Sequence, residues 1–212
     1  MGPGAASRRL GVLISGRGSN LQALIDAIRD QRLDAEIVVV ISNREDAPGL
    51  ERARRAGIES LCISHHGWAE RDDYDRALAR ELKARDVALV CLAGFMRRVG
   101  PPLIDAYPHA IVNIHPSLLP AFAGLDAQGQ AVAYGVKVSG VTVHFVTLDL
   151  DAGPIILQRT VPVLDADTNE TLAAKILEEE HRAYPDAVNL ILSGGWHLQG
   201  RRLIRSPSGA SG

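Results

Sequence analysis

Leu10-Gly11-Val12-Leu13-Ile14-Ser15-Gly16-Arg17-Gly18-Ser19-Asn20-Leu21 decides the fold. Residues 10–14 form an apolar run of strand length, and Gly16 and Gly18 then turn the chain. Beyond the turn Leu21, Leu24, Ile25 and Ile28 recur at helical spacing, with either Ser19 or Asn20 placed to cap the helix. Strand, glycine turn and capped helix make a cradle for phosphate, because the backbone approaches closely and free N–H groups and the helix dipole attract an anion. Gly16-x-Gly18 opens like a dinucleotide fingerprint, but Leu21 stands where its third glycine belongs. The second strand, residues 35–42, runs into Ser42-Asn43 and offers no acid for a ribose. A monophosphate suits the turn better; the competing reading is a glycine turn that binds nothing.

The same rhythm continues. Residues 48–56 read as a short helix with Pro48 near its start, and residues 58–63 as a strand. His65-His66-Gly67 has no second Cys/His pair at ligand spacing behind it, so it reads as a solvated loop and not as a metal site. Residues 70–85 form an amphipathic helix with Tyr74, Ala77, Leu78 and Leu82 on one side, and residues 87–92 an apolar strand. Strands alternating with helices imply an α/β fold with a central, mostly parallel sheet and helices on both faces. Such sheets bind ligands at the carboxyl ends of their strands. Residues 15–20, 94–96 and 113–115 are therefore expected to converge.

The third of these segments, Asn113-Ile114-His115-Pro116-Ser117-Leu118-Leu119-Pro120, carries the chemistry. Asn113 and His115 alternate with Ile114, so on a strand end both side chains leave by one face. Pro116 lacks the N–H that would continue a ladder and leaves the imidazole at a mouth. Asp151 sits in a second turn, just before Gly153-Pro154. An amide, an imidazole and a carboxylate are parts for acyl transfer without a covalent nucleophile. Neither cysteine is near them in sequence, and Ser117 lacks a G-x-S-x-G setting. The bracketing prolines point to a cis Leu119-Pro120 bond. His144, at a polar position of the alternating strand 136–146, either lines the site or hydrogen-bonds in the core. Gly140 in that strand marks a bulge or a close backbone approach. Around it, residues 126–134 suit a helix closed by Gly135, and residues 154–161 another strand. Thr168 opens a long helix striped by Leu172, Ile176, Ala183, Ala187 and Leu190, with a kink expected at Pro185.

Composition sets the outer limits. The 212 residues suit one domain, and 46% hydrophobic content argues against disorder. With 23 basic and 25 acidic residues the net charge is −2, which gives no general field for nucleic acid. No apolar run reaches membrane length. Cys62 and Cys91 lie in apolar runs and read as reduced core residues of a cytoplasmic protein. Residues 1–8 are expected as a flexible leader, 9–200 as the single domain and 201–212 as a flexible tail.

Five segments together resemble the folate-dependent glycinamide ribonucleotide transformylases of purine synthesis, from about Val12 to Leu192. They are residues 13–22, Leu92-Ala93-Gly94-Phe95-Met96-Arg97, residues 113–120, Thr142-Val143-His144-Phe145-Val146 and residues 151–158. The resemblance implies a formyltransferase-type Rossmann-like fold and formyl transfer from 10-formyltetrahydrofolate, as co-substrate, to the amine of glycinamide ribonucleotide, without metal. It makes Asn113, His115 and Asp151 the catalytic trio. Gly18, Ser19 and Asn20 match the phosphate loop, and Glu180 the acid that holds the ribose. Met96, Arg97 and Val99 match the folate wall, and Arg71 a basic residue near the glutamate tail. Asp126 and Gln128 stand where some members carry His, and Ala123 where proline is common. Small molecules are the implied partners, with no nucleic acid or membrane, and a monomer or homodimer. The competing functions are formyltetrahydrofolate deformylase, which passes formyl to water, and a non-catalytic nucleotide-binding module. Deformylases carry a further N-terminal domain and lack the Gly-Ser-Asn-Leu loop; methionyl-tRNA formyltransferase carries a C-terminal RNA-binding domain.

Overall fold

The computed structural model describes residues 8–206, so nearly all of the expected leader and the last six residues lie outside it. In chain order the elements are β1 (Arg9–Ile14), α1 (Ser19–Arg29), β2 (Glu36–Ser42), α2 (Pro48–Arg55) and β3 (Ser60–Cys62). There follow α3 (Arg71–Lys83), β4 (Leu89–Leu92), α4 (Pro101–Ala106), β5 (Ile111–His115) and α5 (Ala127–Tyr134). The chain ends with β6 (Val138–Phe145), β7 (Ile155–Pro162), α6 (Asn169–Leu192), β8 (Trp196–Gln199) and β9 (Arg202–Arg205).

One nine-stranded sheet runs β3-β2-β1-β4-β5-β6-β7-β9-β8. Its first five strands pair in parallel, as the helical crossovers between them require. The direction changes at β5, which pairs antiparallel with β6, and β6 with β7. Helices flank a sheet whose middle is apolar on both faces: Leu10, Val12, Leu13 and Ile14 of β1 and Leu89 and Val90 of β4 are fully buried. Helix α6 packs on β6, β7 and α1. Its fully buried Tyr184 donates its hydroxyl to Leu92 O at 2.8 Å, with Val112 O at 3.3 Å. That places one helix against the ends of β4 and β5 together.

Several expectations are met locally. Thr168 caps α6, accepting the Thr171 N–H while the Thr171 hydroxyl accepts the Thr168 N–H. The Leu119-Pro120 bond is cis. Gly135 in the left-handed region closes α5.

Others are corrected. Neither Ser19 nor Asn20 caps α1; Gly18, at φ 70°, holds that position with no side-chain bond, and both polar residues already lie in the first turn. Cys91 is buried, but Cys62 is exposed, because β3 is a three-residue edge strand that leaves its end open; both thiols are free. The expected tail begins too early: residues 202–205 pair with β8 and touch β7, so the sheet extends past residue 201. Gly140 sits in unbroken register opposite Thr160, and the irregularity falls between Val143 and His144. What Gly140 provides is clearance, since a Cβ there would lie 2.0 Å from Arg159 O. Gly140→Ala is expected to force β6 from β7 and to lower stability by about 1–3 kcal/mol, the usual cost of overpacking, read as a lower midpoint in urea unfolding.

Candidate active site

The site lies at the carboxyl end of β5, where the sheet reverses direction. Asn113 faces His144 across the β5–β6 ladder, and His115 faces Thr142. Pro116 ends the strand as expected, and residues 116–124 fold back under three anchors. The Thr142 hydroxyl donates to Ser117 O (2.7 Å) and accepts the Leu119 N–H (3.0 Å), while Gln158 Nε2 donates to Leu119 O (2.9 Å). Ser117 donates its hydroxyl to Ala121 O at 2.6 Å, which gives it a loop-shaping contact. The fold-back brings Phe122 O within 2.9 Å of His115 Nε2.

Asp151 meets this loop from the other side. Its carboxylate accepts the Gly124 N–H at 2.9 Å and lies 3.4 Å from His115 Nδ1 and 3.8 Å from His144 Nε2. All three side chains are less than a tenth exposed. Asp151 occupies the left-handed region at φ 49°, as does Phe122 at φ 54°, a conformation that non-glycine residues adopt at a cost. Both nitrogens of His115 face acceptors, so the imidazolium form satisfies both partners at once.

His144 settles the orientation of Asn113. Its Nδ1–H donates to Phe145 O at 2.9 Å, which leaves the Nε2 lone pair to accept from Asn113 Nδ2 at 3.2 Å. Burial is the largest influence on this imidazole and pushes its pKa below 6.5, with Phe145 O and Asp151 pulling the other way. Neutral His144 thus turns the Asn113 amide, whose second proton is left for another acceptor. Asn113, His144 and Asp151 line a cleft of about 100 Å³ together with Leu92, Phe95, Arg97, Val99 and the loop of residues 146–151.

A second polar cluster sits at the start of α1. A turn built on Gly16 and Gly18 presses against α2: Gly49 donates to Gly16 O at 3.0 Å, and a Cβ on Gly18 would lie 2.8 Å from Gly49 Cα. With Gly18 as an uncapped N-cap, the first N–H groups of α1 have no intrahelical acceptor. Asn20 Nδ2 donates to Glu180 Oε2 of α6 at 2.7 Å, while Asn20 Oδ1 is buried without a partner. Burial pushes the Glu180 carboxyl up, against the Asn20 bond that lowers it. A helix start with free N–H groups, an orphaned amide oxygen and a buried acid are chemically suited to an anionic, hydroxyl-bearing ligand.

The formyl transferase family profile matches residues 8–188. The chain belongs to the formyl transferase family. Trifunctional purine biosynthetic protein adenosine-3 of Drosophila melanogaster is 51% identical over 189 residues, which cover 88% of this chain and 14% of that protein. The chain therefore spans about a seventh of that relative. Phosphoribosylglycinamide formyltransferase of Escherichia coli (strain K12) is 44% identical, with 90% of this chain and 87% of the relative covered. The crystal structure of glycinamide ribonucleotide transformylase 1 from Symbiobacterium toebii superimposes with a TM-score of 0.93 at 54% identity, covering 96% and 95% of the two chains.

Within this structure the sequence-predicted residues fall into three groups. Asn113, His115 and Asp151 come together, and Gly18, Ser19 and Asn20 come together with Glu180. The expected folate-wall residues divide. Arg97 and Val99 line the cleft, and the Arg97 guanidinium also lies 5.4 Å from the centre of the Tyr74 ring. The Met96 side chain is 69% exposed, with its backbone N–H bound to Ser15. Arg71 begins α3 and donates to Arg98 O, beside the cleft and not in its lining. Asp126 accepts a bond from Asn169 Nδ2 at 3.0 Å. His144, left open by the sequence, is the residue whose place the ladder decides: its register opposite Asn113 is the signal. Among the described residues no cluster of three or more His, Cys, Asp or Glu side chains is arranged to hold a metal ion, and no helix is long and apolar enough to cross a membrane.

The lowered His144 pKa fixes a sign. As pH falls below 6.5 the unfolded chain takes up a proton at this residue that the folded chain resists, so stability is full above 6.5 and is lost towards the depressed folded value. Urea unfolding between about pH 7.5 and 5 is expected to show this loss and His144→Gln to flatten it. Equal acid slopes in the two proteins would assign the loss to other groups.

Proposed function

We propose that this protein transfers the formyl group of 10-formyltetrahydrofolate to the primary amine of glycinamide ribonucleotide, a step of de novo purine biosynthesis. The observation that carries the reading is the Asp151 carboxylate 3.4 Å from His115, with Asn113 on the same strand end, at the mouth of a cleft. The E. coli phosphoribosylglycinamide formyltransferase, covered over 87% of its length, supports the choice of substrates.

The chemistry needs three services. The amine attacks the formyl carbon, negative charge gathers on oxygen, and the folate nitrogen departs with a proton. Asn113, turned by His144, offers its remaining amide proton to the oxyanion; such a donor is worth about 2.7–4 kcal/mol in comparable sites. His115 adds a second donor or carries the proton, a contribution of roughly 10²–10⁴-fold. Asp151 orients the ring. Since Phe122 O holds Nε2, the ring must exchange that carbonyl for substrate, and the loop of residues 116–124 moves with it. The donor occupies the cleft between Arg97, Val99 and residues 146–151, with Arg71 at its outer side. The acceptor's phosphate sits on Gly18, Ser19 and Asn20 at the α1 N-terminus, and its ribose faces Glu180.

Two measurements test this. Turnover of 10-formyltetrahydrofolate is expected only when glycinamide ribonucleotide is present; equal consumption without it would indicate transfer to water. Asn113→Ala and His115→Ala are each expected to fold and to lose about 10²–10⁴-fold in kcat. A folded variant at the wild-type rate removes its residue from the mechanism.

A further inference from the structure

His65 and Asn43 at the end of β2 play no part in the chemistry above, yet they reach the cleft wall through a continuous hydrogen-bond chain. Ser15, at the end of β1, donates its hydroxyl to Asn43 Oδ1 at 2.5 Å and accepts the Met96 N–H at 2.8 Å. Ser15 also ties its own N–H to Gly94 O at 3.0 Å. Ser15 and Asn43 are 7% and 5% exposed, so neither has water to fall back on. Behind them His65 Nδ1 lies 3.2 Å from Asn43 Nδ2 and 3.3 Å from Asn43 O. A bare Nδ1 accepts from the amide and a protonated one donates to the carbonyl, so either form of the ring holds Asn43 in place.

We propose that Asn43, braced by His65, is a positioning residue for the formyl-donor cleft, acting through the Ser15 hydroxyl on the backbone of Met96. The reason is directional. A serine hydroxyl rotates freely, and its lone pair faces the Met96 N–H only while its own proton has a fixed acceptor. Asn43 Oδ1 is that acceptor. The Met96 amide is flanked by Phe95 and Arg97, both of which line the cleft. Fixing it therefore sets the wall against which the donor packs. The inference rests on the proposed formyl transfer for its kinetic consequence, while the backbone constraint stands independently of it.

The test compares wild type, Asn43→Ala and Asn43→Asp, the last keeping an oxygen for the Ser15 hydroxyl. Asn43→Ala is expected to raise the KM for 10-formyltetrahydrofolate about five- to tenfold, the loss of roughly one hydrogen bond, with the KM for glycinamide ribonucleotide changed less than about twofold. Asn43→Asp is expected to restore most of that loss. Amide exchange at Met96, followed by NMR, is expected to quicken in Asn43→Ala while the β1 amides of Val12 and Leu13 keep their protection. An unchanged donor KM in folded Asn43→Ala, an equal rise in both KM values, or an unchanged Met96 exchange rate overturns the proposal. Wild-type protein that transfers no formyl group overturns the functional reading instead, and the exchange measurement then decides the constraint by itself.

Discussion

A carboxylate taken out of water must be surrounded by donors, and the architecture around β5 follows from that requirement at Asp151. Its side chain is 8% exposed, and an unpaired charge at that depth would cost several kcal/mol. The partners come from two directions: a backbone N–H at Gly124 and the His115 ring from β5. No single element could supply them. The loop after Pro116 must fold back, and the β6–β7 connection must bring Asp151 round in a left-handed turn. The reversal of strand direction between β5 and β6 sets Asn113 opposite His144. The clustering of Asn113, His115 and His144 around Asp151 thus follows the burial of one charge.

Much of this was legible in the sequence because it depended on local rules. The apolar runs at 10–14 and 87–92, the glycine turn, the capping threonine at 168 and the proline that ends β5 each state their conformation within a few residues. The placement of Asn113 and His115 on one face follows from alternation alone. What escaped depended on partners distant in the chain. Asn20 looked like a helix cap; its amide is instead drawn to Glu180, 160 positions away. Cys62 looked buried because its run is apolar, but position at a sheet edge is a property of topology. The β8–β9 hairpin hid behind a basic, serine- and glycine-rich ending, since two four-residue strands carry too few residues to show a period.

The two halves of the site differ in how they are built. The proposed acceptor side rests on a helix start and a second helix, α1 and α6, joined by one amide–carboxylate bond. The proposed donor side is mostly loop: Phe95 and residues 97–99 on one wall and 146–151 on the other. Its definition comes from side chains that hold backbone, Ser15 on Met96, Arg71 on Arg98 and Arg98 on Leu148 O at 3.2 Å. Loops fixed in this way can be rearranged at the cost of a few hydrogen bonds, which suits a bulky, partly flexible co-substrate.

Tyr184 links these halves and limits how the chain can diverge. Its hydroxyl bridges the carbonyls of Leu92 and Val112 from within α6, four residues beyond Glu180. Phenylalanine would fill the volume without either contact, whereas a shorter alcohol would reach neither carbonyl. The separation of the two central strand ends is consequently gauged by one phenol, and evolutionary drift in the surrounding walls is free only so far as that measuring rod stays seated.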